Sequence, residues 1–208
     1  MVVEITKHYS KECLVISLQE QFTSKVHPIK IHLKNNSERE LETRNIIDKF
    51  LSDTWVKISP YWFAPKELII EQDIIPHSHP IITISCRVLG FKKEHQHLYL
   101  SDLIIHENMH HWLKTVPRGW FPKLKKLYPE EGEDFVGKPK LTEHSYWIHI
   151  PIIWNTHFIL KNKILSKSDY GKLLLRKKLP YDTLTRYIVD NFEKVENELS
   201  LLNLKIHN

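Results

Sequence analysis

One run of sequence, Leu103 to Lys114, limits the fold of this chain more than any other: Leu-Ile-Ile-His-Glu-Asn-Met-His-His-Trp-Leu-Lys. Ile105, Met109 and Trp112 recur at helical intervals, so the segment predicts a helix with one face in the core. His106 and His110 fall on a different face, four residues apart and therefore about one turn from each other. Leu103, Ile104 and Ile105 in succession make the helix apolar from its first turn, which argues for burial. Ser101 or Asp102 supplies an N-cap, and Pro117 sits just beyond the end. Such a helix anchors in a core while presenting its histidines to a cleft.

The remaining pattern supplies the layers that would cover it. Leu14-Val15-Ile16-Ser17-Leu18 and Ile29-Lys30-Ile31-His32-Leu33 read as strands, the second with a wet face. Ser37-Glu38-Arg39-Glu40 is a capping box that opens a helix whose inner face is Ile46, Ile47, Phe50, Leu51 and Thr54. Pro60 closes that region. Glu67 to Ile75 and the β-branched stretch Pro80 to Leu89 are further strand candidates. Phe121 to Lys140 is rich in proline and glycine and reads as loop. Helices are expected from Ile152 to Ile164 and from Ser168 to Lys177. After Pro180, the positions Leu184, Ile188, Phe192, Val195, Leu199 and Leu202 predict one long amphipathic helix. No repeat or linker divides the 208 residues, so a single α+β domain spanning 1–208 is expected, with a short N-terminal sheet and a helical C-terminal half.

The histidine spacing carries chemistry. His106-Glu107-Asn108-Met109-His110 is an HExxH motif, and imidazoles at i and i+4 on one helix face can share a Zn²⁺ at about 2.0–2.1 Å. Glu107 is rotated about 100° from His106, beside the metal position rather than on it. A carboxylate there can take a proton from water and return it to a leaving amine. Zinc would acidify the water and polarise the carbonyl under attack. The chain holds 14 histidines, which makes chance matches to such a motif easier, so the apolar helix around it matters more than the count.

With these residues in place, the sequence resembles the zincin metallopeptidases, which share a small sheet and an HExxH helix. The resemblance covers the motif and the strand-strand-helix order before it. It implies His106 and His110 as zinc ligands, Glu107 as general base and acid, and a peptide or protein substrate. It also implies that an early strand, Pro80 to Leu89, forms a cleft edge on which an extended peptide pairs.

The third ligand separates zincin subfamilies. The metzincin extension requires glycine and histidine where this chain has Leu113 and Val116, which excludes that class. Glu130 and Asp134 have the thermolysin-like spacing, but Pro129-Glu130-Glu131-Gly132 reads as a turn. The apolar, aromatic stretch from Thr142 to Trp154 offers His149, which would sit near a helix start if Pro151 occupies the first turn. His149 is the favoured third ligand, because a buried imidazole needs a partner. His144, Glu130, Glu131, Glu143 and His157 remain alternatives. His77, His79, His95 and His97 lie in polar or proline-flanked turns and read as bystanders.

The charge balance permits a different class of function. Lys+Arg total 30 against Asp+Glu 25, a net of +5, with basic clusters at Lys161 to Lys178 and at Lys114 to Lys126. Such clusters can neutralise phosphates. A basic nucleic-acid-associated protein with a structural zinc is therefore the alternative, as is a protease acting on nucleic-acid-bound proteins. No apolar run is long enough to span a membrane, and the N-terminus carries charges where a signal peptide is apolar. Cys13 and Cys86 form no paired motif, so a reducing, cytoplasmic compartment is expected.

Overall fold

The computed structural model describes residues 27–128, 143–175 and 182–206. The expected strand at Leu14–Leu18 lies outside them, as does Cys13. Three parallel strands, β1 (Lys30–Leu33), β2 (Glu67–Glu71) and β3 (Ile82–Ser85), form a sheet in sequence order. With seven α-helices among the described residues, the architecture is α+β. In β2, Leu68 and Ile70 are fully buried while Glu67, Ile69 and Glu71 are half-buried, the alternation of a strand with one wet face. All four residues of β3 are buried. β3 is also shorter than its β-branched sequence predicts, because Cys86 to Gly90 turn into a 3₁₀-helix.

Helix α1 (Glu38–Ile58) connects β1 to β2, and its capping box forms as the sequence requires. The Ser37 hydroxyl accepts from the Glu40 N–H at 3.3 Å, and the Glu40 carboxylate accepts from the N–H groups of Ser37 and Asn35 at 3.2 and 2.9 Å. Those bonds let a fully buried glutamate persist at a helix start. Ile47, Phe50 and Leu51 form its buried face, close to the expected stripe.

Helix α2 (Lys93–Thr115) carries the HExxH motif and begins well before Ser101. Ser101 and Asp102 are therefore interior residues; the Ser101 hydroxyl donates to the His97 carbonyl at 2.7 Å instead of capping. The polar run Lys92 to His97, of which His95 and His97 read as turn residues, leads into and forms the solvent-facing start of the same helix, with no glycine or proline to stop it. Leu98 and Leu100 already reach the core.

Helix α3 (Trp120–Leu127) replaces part of the expected loop at Phe121–Lys140. Pro122 falls in its first turn, where the missing N–H has no internal partner to lose. The preceding Gly119 has φ +112°, a conformation that glycine adopts without a side-chain clash.

Helix α4 (Glu143–Ile159) starts earlier than predicted and holds Pro151 in its interior. An interior proline forfeits one hydrogen bond and costs about 3 kcal/mol. Burial on opposite faces offsets it. Ile152 and Ile159 join a core with α1, α2 and the sheet, while Tyr146, Trp147, Ile150, Ile153 and Trp154 join a second core with the C-terminal helices. At about 25 cal/mol per Å², each such large side chain stabilises by roughly 2 kcal/mol.

A π-turn (Leu160–Ile164) and α5 (Lys167–Leu174) follow, then α6 (Asp182–Asp190) and α7 (Phe192–Leu201). The last two correct the expectation of one long helix: it breaks at Asn191, whose amide donates to the Tyr187 carbonyl at 2.9 Å. The periodicity itself persists across the break, since Leu184, Ile188, Val195 and Leu199 are all buried in the second core.

Candidate metal centre

Three histidines from two helices converge. His106 and His110 come from α2 and His149 from α4, and their ligand nitrogens all lie within 4.8 Å of one another. Ring centroids are 5.2 Å apart for His106–His110, 5.4 Å for His106–His149 and 5.0 Å for His110–His149. The i,i+4 spacing places the first pair; the packing of α4 on α2 delivers the third. In a tetrahedral zinc site the nitrogens stand roughly 3.3 Å apart, given bonds of about 2.05 Å. A contraction of roughly 1.5 Å at most would close the set.

The electrostatics suit a cation. His106 is held well below the ordinary imidazole pKa by burial, then by His110, His149 and His157. Burial, His149 and weaker effects of His79, His111 and Lys114 lower His110 to about 3. Both rings are thus neutral at physiological pH, as metal ligation requires. Glu107 is 7% exposed, and burial pushes its carboxyl up to about 7. A dication beside it would favour the ionised form and pull that value down.

Of the other third-ligand candidates, Glu130 and Glu131 lie outside the described residues, as does Asp134. Glu143 and His144 fall in the first turn of α4, with side chains outside what is described. His157 is buried and close enough to act on His106, but it is not among the three converging ligands, and its Nδ1 lies 3.1 Å from the Tyr170 hydroxyl.

The segment between β2 and β3 adds two histidines that sequence reasoning set aside. His111, on α2, donates from Nε2 to the Ser78 carbonyl at 2.6 Å and is buried rather than exposed. That bond holds His79 against the metal helix, with ring centroids 6.1 Å from His110 and 5.3 Å from His111. His77 exchanges backbone bonds with Thr83 at 3.2 and 2.8 Å. Thus β3 lies at a sheet edge, as the cleft reading requires, but at Thr83 the chain's own backbone already fills that edge. The signal for His79 was the His77-Ser78-His79 pair itself; only the path of the connection reveals which histidine it meets.

A cavity of about 840 Å³ opens beside His110. Leu113, Val116, Trp120, Phe121 and Ile148 supply apolar wall, and His79, Lys114 and Arg118 supply the basic part. Elsewhere the basic clusters are partly engaged. Lys172 pairs with Asp169 at 3.0 Å, Lys125 lies over the Trp147 ring and Lys161 over Phe192. Trp112, Trp147 and Trp154 are buried, which removes them as stacking platforms for bases.

The buried imidazoles predict acid sensitivity. Burial lowers His157 from 6.5 to about 4. Between those values the unfolded chain binds a proton that the folded chain refuses, so stability is intact above pH 6.5 and falls as the pH drops towards 4. His157 alone contributes on the order of 3 kcal/mol to that loss. Urea titrations at pH 7.5 and pH 4.5 should show it, and His157→Gln should shrink the difference; an unchanged difference would contradict the assignment.

No helix among the described residues is long and apolar enough to cross a membrane. Cys86, the described cysteine, is a buried free thiol. No protein-family model, curated protein or solved structure matches the chain.

Proposed function

We propose that this chain is a zinc-dependent metallopeptidase, hydrolysing a peptide or related amide bond. The observation that carries the reading is the convergence of His106, His110 and His149 with Glu107 adjacent on the same helix. Three imidazole ligands with a fourth side left to substrate are the donor set of catalytic rather than structural zinc. When bound, zinc supplies Lewis acidity towards a carbonyl and a water.

The protein's own residues do the rest. His106, His110 and His149 would hold the metal through their ring nitrogens. Glu107 accepts the proton of the attacking water, and the same carboxyl returns it to the departing nitrogen. Burial around Glu107 keeps bulk water from competing for that proton. The partly exposed His110 marks the open side, towards the cavity.

The alternative, nucleic-acid association with a structural zinc, draws on the basic clusters, several of whose lysines are engaged within the chain. Its test is binding that falls steeply with salt and survives His110→Ala. For the peptidase reading, the expected result is one zinc per chain in protein purified without chelator, lost in His110→Ala and in His149→Ala. A metal-free native protein, or zinc retained by His149→Ala, would sink it.

A further inference from the structure

The cavity beside the metal triad has a chemistry of its own. Lys114 follows His110 by four residues on α2, so it stands about one turn, roughly 6 Å, farther along the same side. Arg118 lines the same cavity just past the helix end, and no carboxylate among the described residues lines it. Both cations are exposed. The Lys114 ammonium donates to Nδ1 of His79 at 3.1 Å. That acceptor is uncharged when it accepts, so among the described residues the bond does not offset the positive charge. Around these cations the wall is apolar: Val116, Trp120, Phe121 and Ile148. The cavity thus asks for a ligand that joins one negative group to a bulky apolar one, within reach of the triad.

We propose that this cavity binds the C-terminal end of a peptide substrate, its free carboxylate on Lys114 and Arg118 and its last side chain against Trp120 and Phe121. The inference rests on the peptidase reading and narrows it to removal of one or two C-terminal residues. An extended chain advances about 3.3–3.6 Å per residue, so one or two residues cover the single helical turn between His110 and Lys114. A guanidinium matches a carboxylate bidentately, which favours a chain terminus over a neutral amide. The reaction balances with water as co-reactant. Its oxygen forms the new bond to the scissile carbonyl carbon, the C–N bond breaks, and the nitrogen takes the proton that Glu107 removed. The products are a shortened chain with a new carboxylate and a free amino acid or dipeptide.

The test is calorimetric titration of the full chain, as purified, with N-acetylphenylalanine and with N-acetylphenylalanine amide, alongside zinc content of the same sample. The expected result is at least ten-fold tighter binding of the acid, falling to the level of the amide in K114Q/R118Q with an unchanged circular dichroism spectrum. Equal binding of acid and amide by the unaltered chain would overturn the proposal. So would a preference that survives the double variant, since the carboxylate would then be bound elsewhere, the metal included. Inorganic phosphate displacing the acid at equal concentration would also overturn it, in favour of a phosphate site. Zinc content separates the two readings: acid preference without zinc retains the cavity assignment and removes hydrolysis, whereas zinc without acid preference does the reverse.

Discussion

On the proposed peptidase reading, Glu107→Gln is expected to lower amide hydrolysis by about 10²–10⁴-fold with zinc binding retained. Glutamine preserves the volume and the helix but cannot accept a proton. The side chain is 7% exposed, so the substitution disturbs little solvent-facing structure. Glu107 also lies outside the triad of ligand nitrogens, which is why metal content should hold. The measurement is kcat on a peptide substrate with zinc determined on the same preparation. A rate loss accompanied by loss of zinc would instead place Glu107 among the groups that hold the metal. Full activity with zinc bound would remove Glu107 from the chemistry altogether.

Asn108→Ala should destabilise the fold by on the order of 4 kcal/mol. Asn108 is fully buried inside the HExxH motif, yet its side chain faces the turn that follows α1. Its Oδ1 accepts from the N–H groups of Phe63 and Ala64 at 2.8 and 2.9 Å, and its Nδ2 donates to the Tyr61 carbonyl at 2.6 Å. Alanine would remove the Asn108 partner from three backbone groups, two of them in buried bonds and that of Phe63 in a part-buried one, each loss costing about 1–3 kcal/mol where water cannot replace it. Asn108→Asp keeps the acceptor, loses the donor and buries a charge, so it should also fold poorly. Urea denaturation would read the effect as a lower midpoint at unchanged slope. A loss under about 0.5 kcal/mol, the range of ordinary surface substitutions, would show that the turn is held by other contacts.

Asn108 also shows how the motif is built. The two free positions of HExxH are Asn108 and Met109. One clamps the turn before β2 and the other is buried in the first core. The ligand pair is thereby fixed to the layer that carries the sheet. His149 is fixed from the other direction, by a helix whose opposite faces fill two cores. The three histidines thus meet where the two cores adjoin, at the packing of α4 on α2.

Legibility in the sequence followed the range of the interactions. The capping box at Ser37 was readable because its bonds span three residues. The start of α2 was not: its first turns are polar and lack a cap, and only Leu98 and Leu100, buried by distant partners, show that they belong to the helix. Pro151 suggested a helix start near His149, yet α4 begins at Glu143, because burial of its aromatic faces outweighs one lost hydrogen bond. His79 reads as a turn residue in the sequence, because the bond from His111 to the Ser78 carbonyl that holds it against α2 spans 33 residues.

By itself, the sequence determined that His106 and His110 share a helix face, with Glu107 beside them and an apolar face behind. These relations follow from 3.6 residues per turn and hold wherever such a helix forms. Tertiary structure alone decided that His149, rather than a neighbour such as His157, completes the triad, that His79 lies against His110, and that Lys114 and Arg118 share a cavity with them. The physical reason is that helical periodicity relates residues within one element, whereas a site assembled from two helices and a connection depends on how side chains far apart in sequence fill common cores.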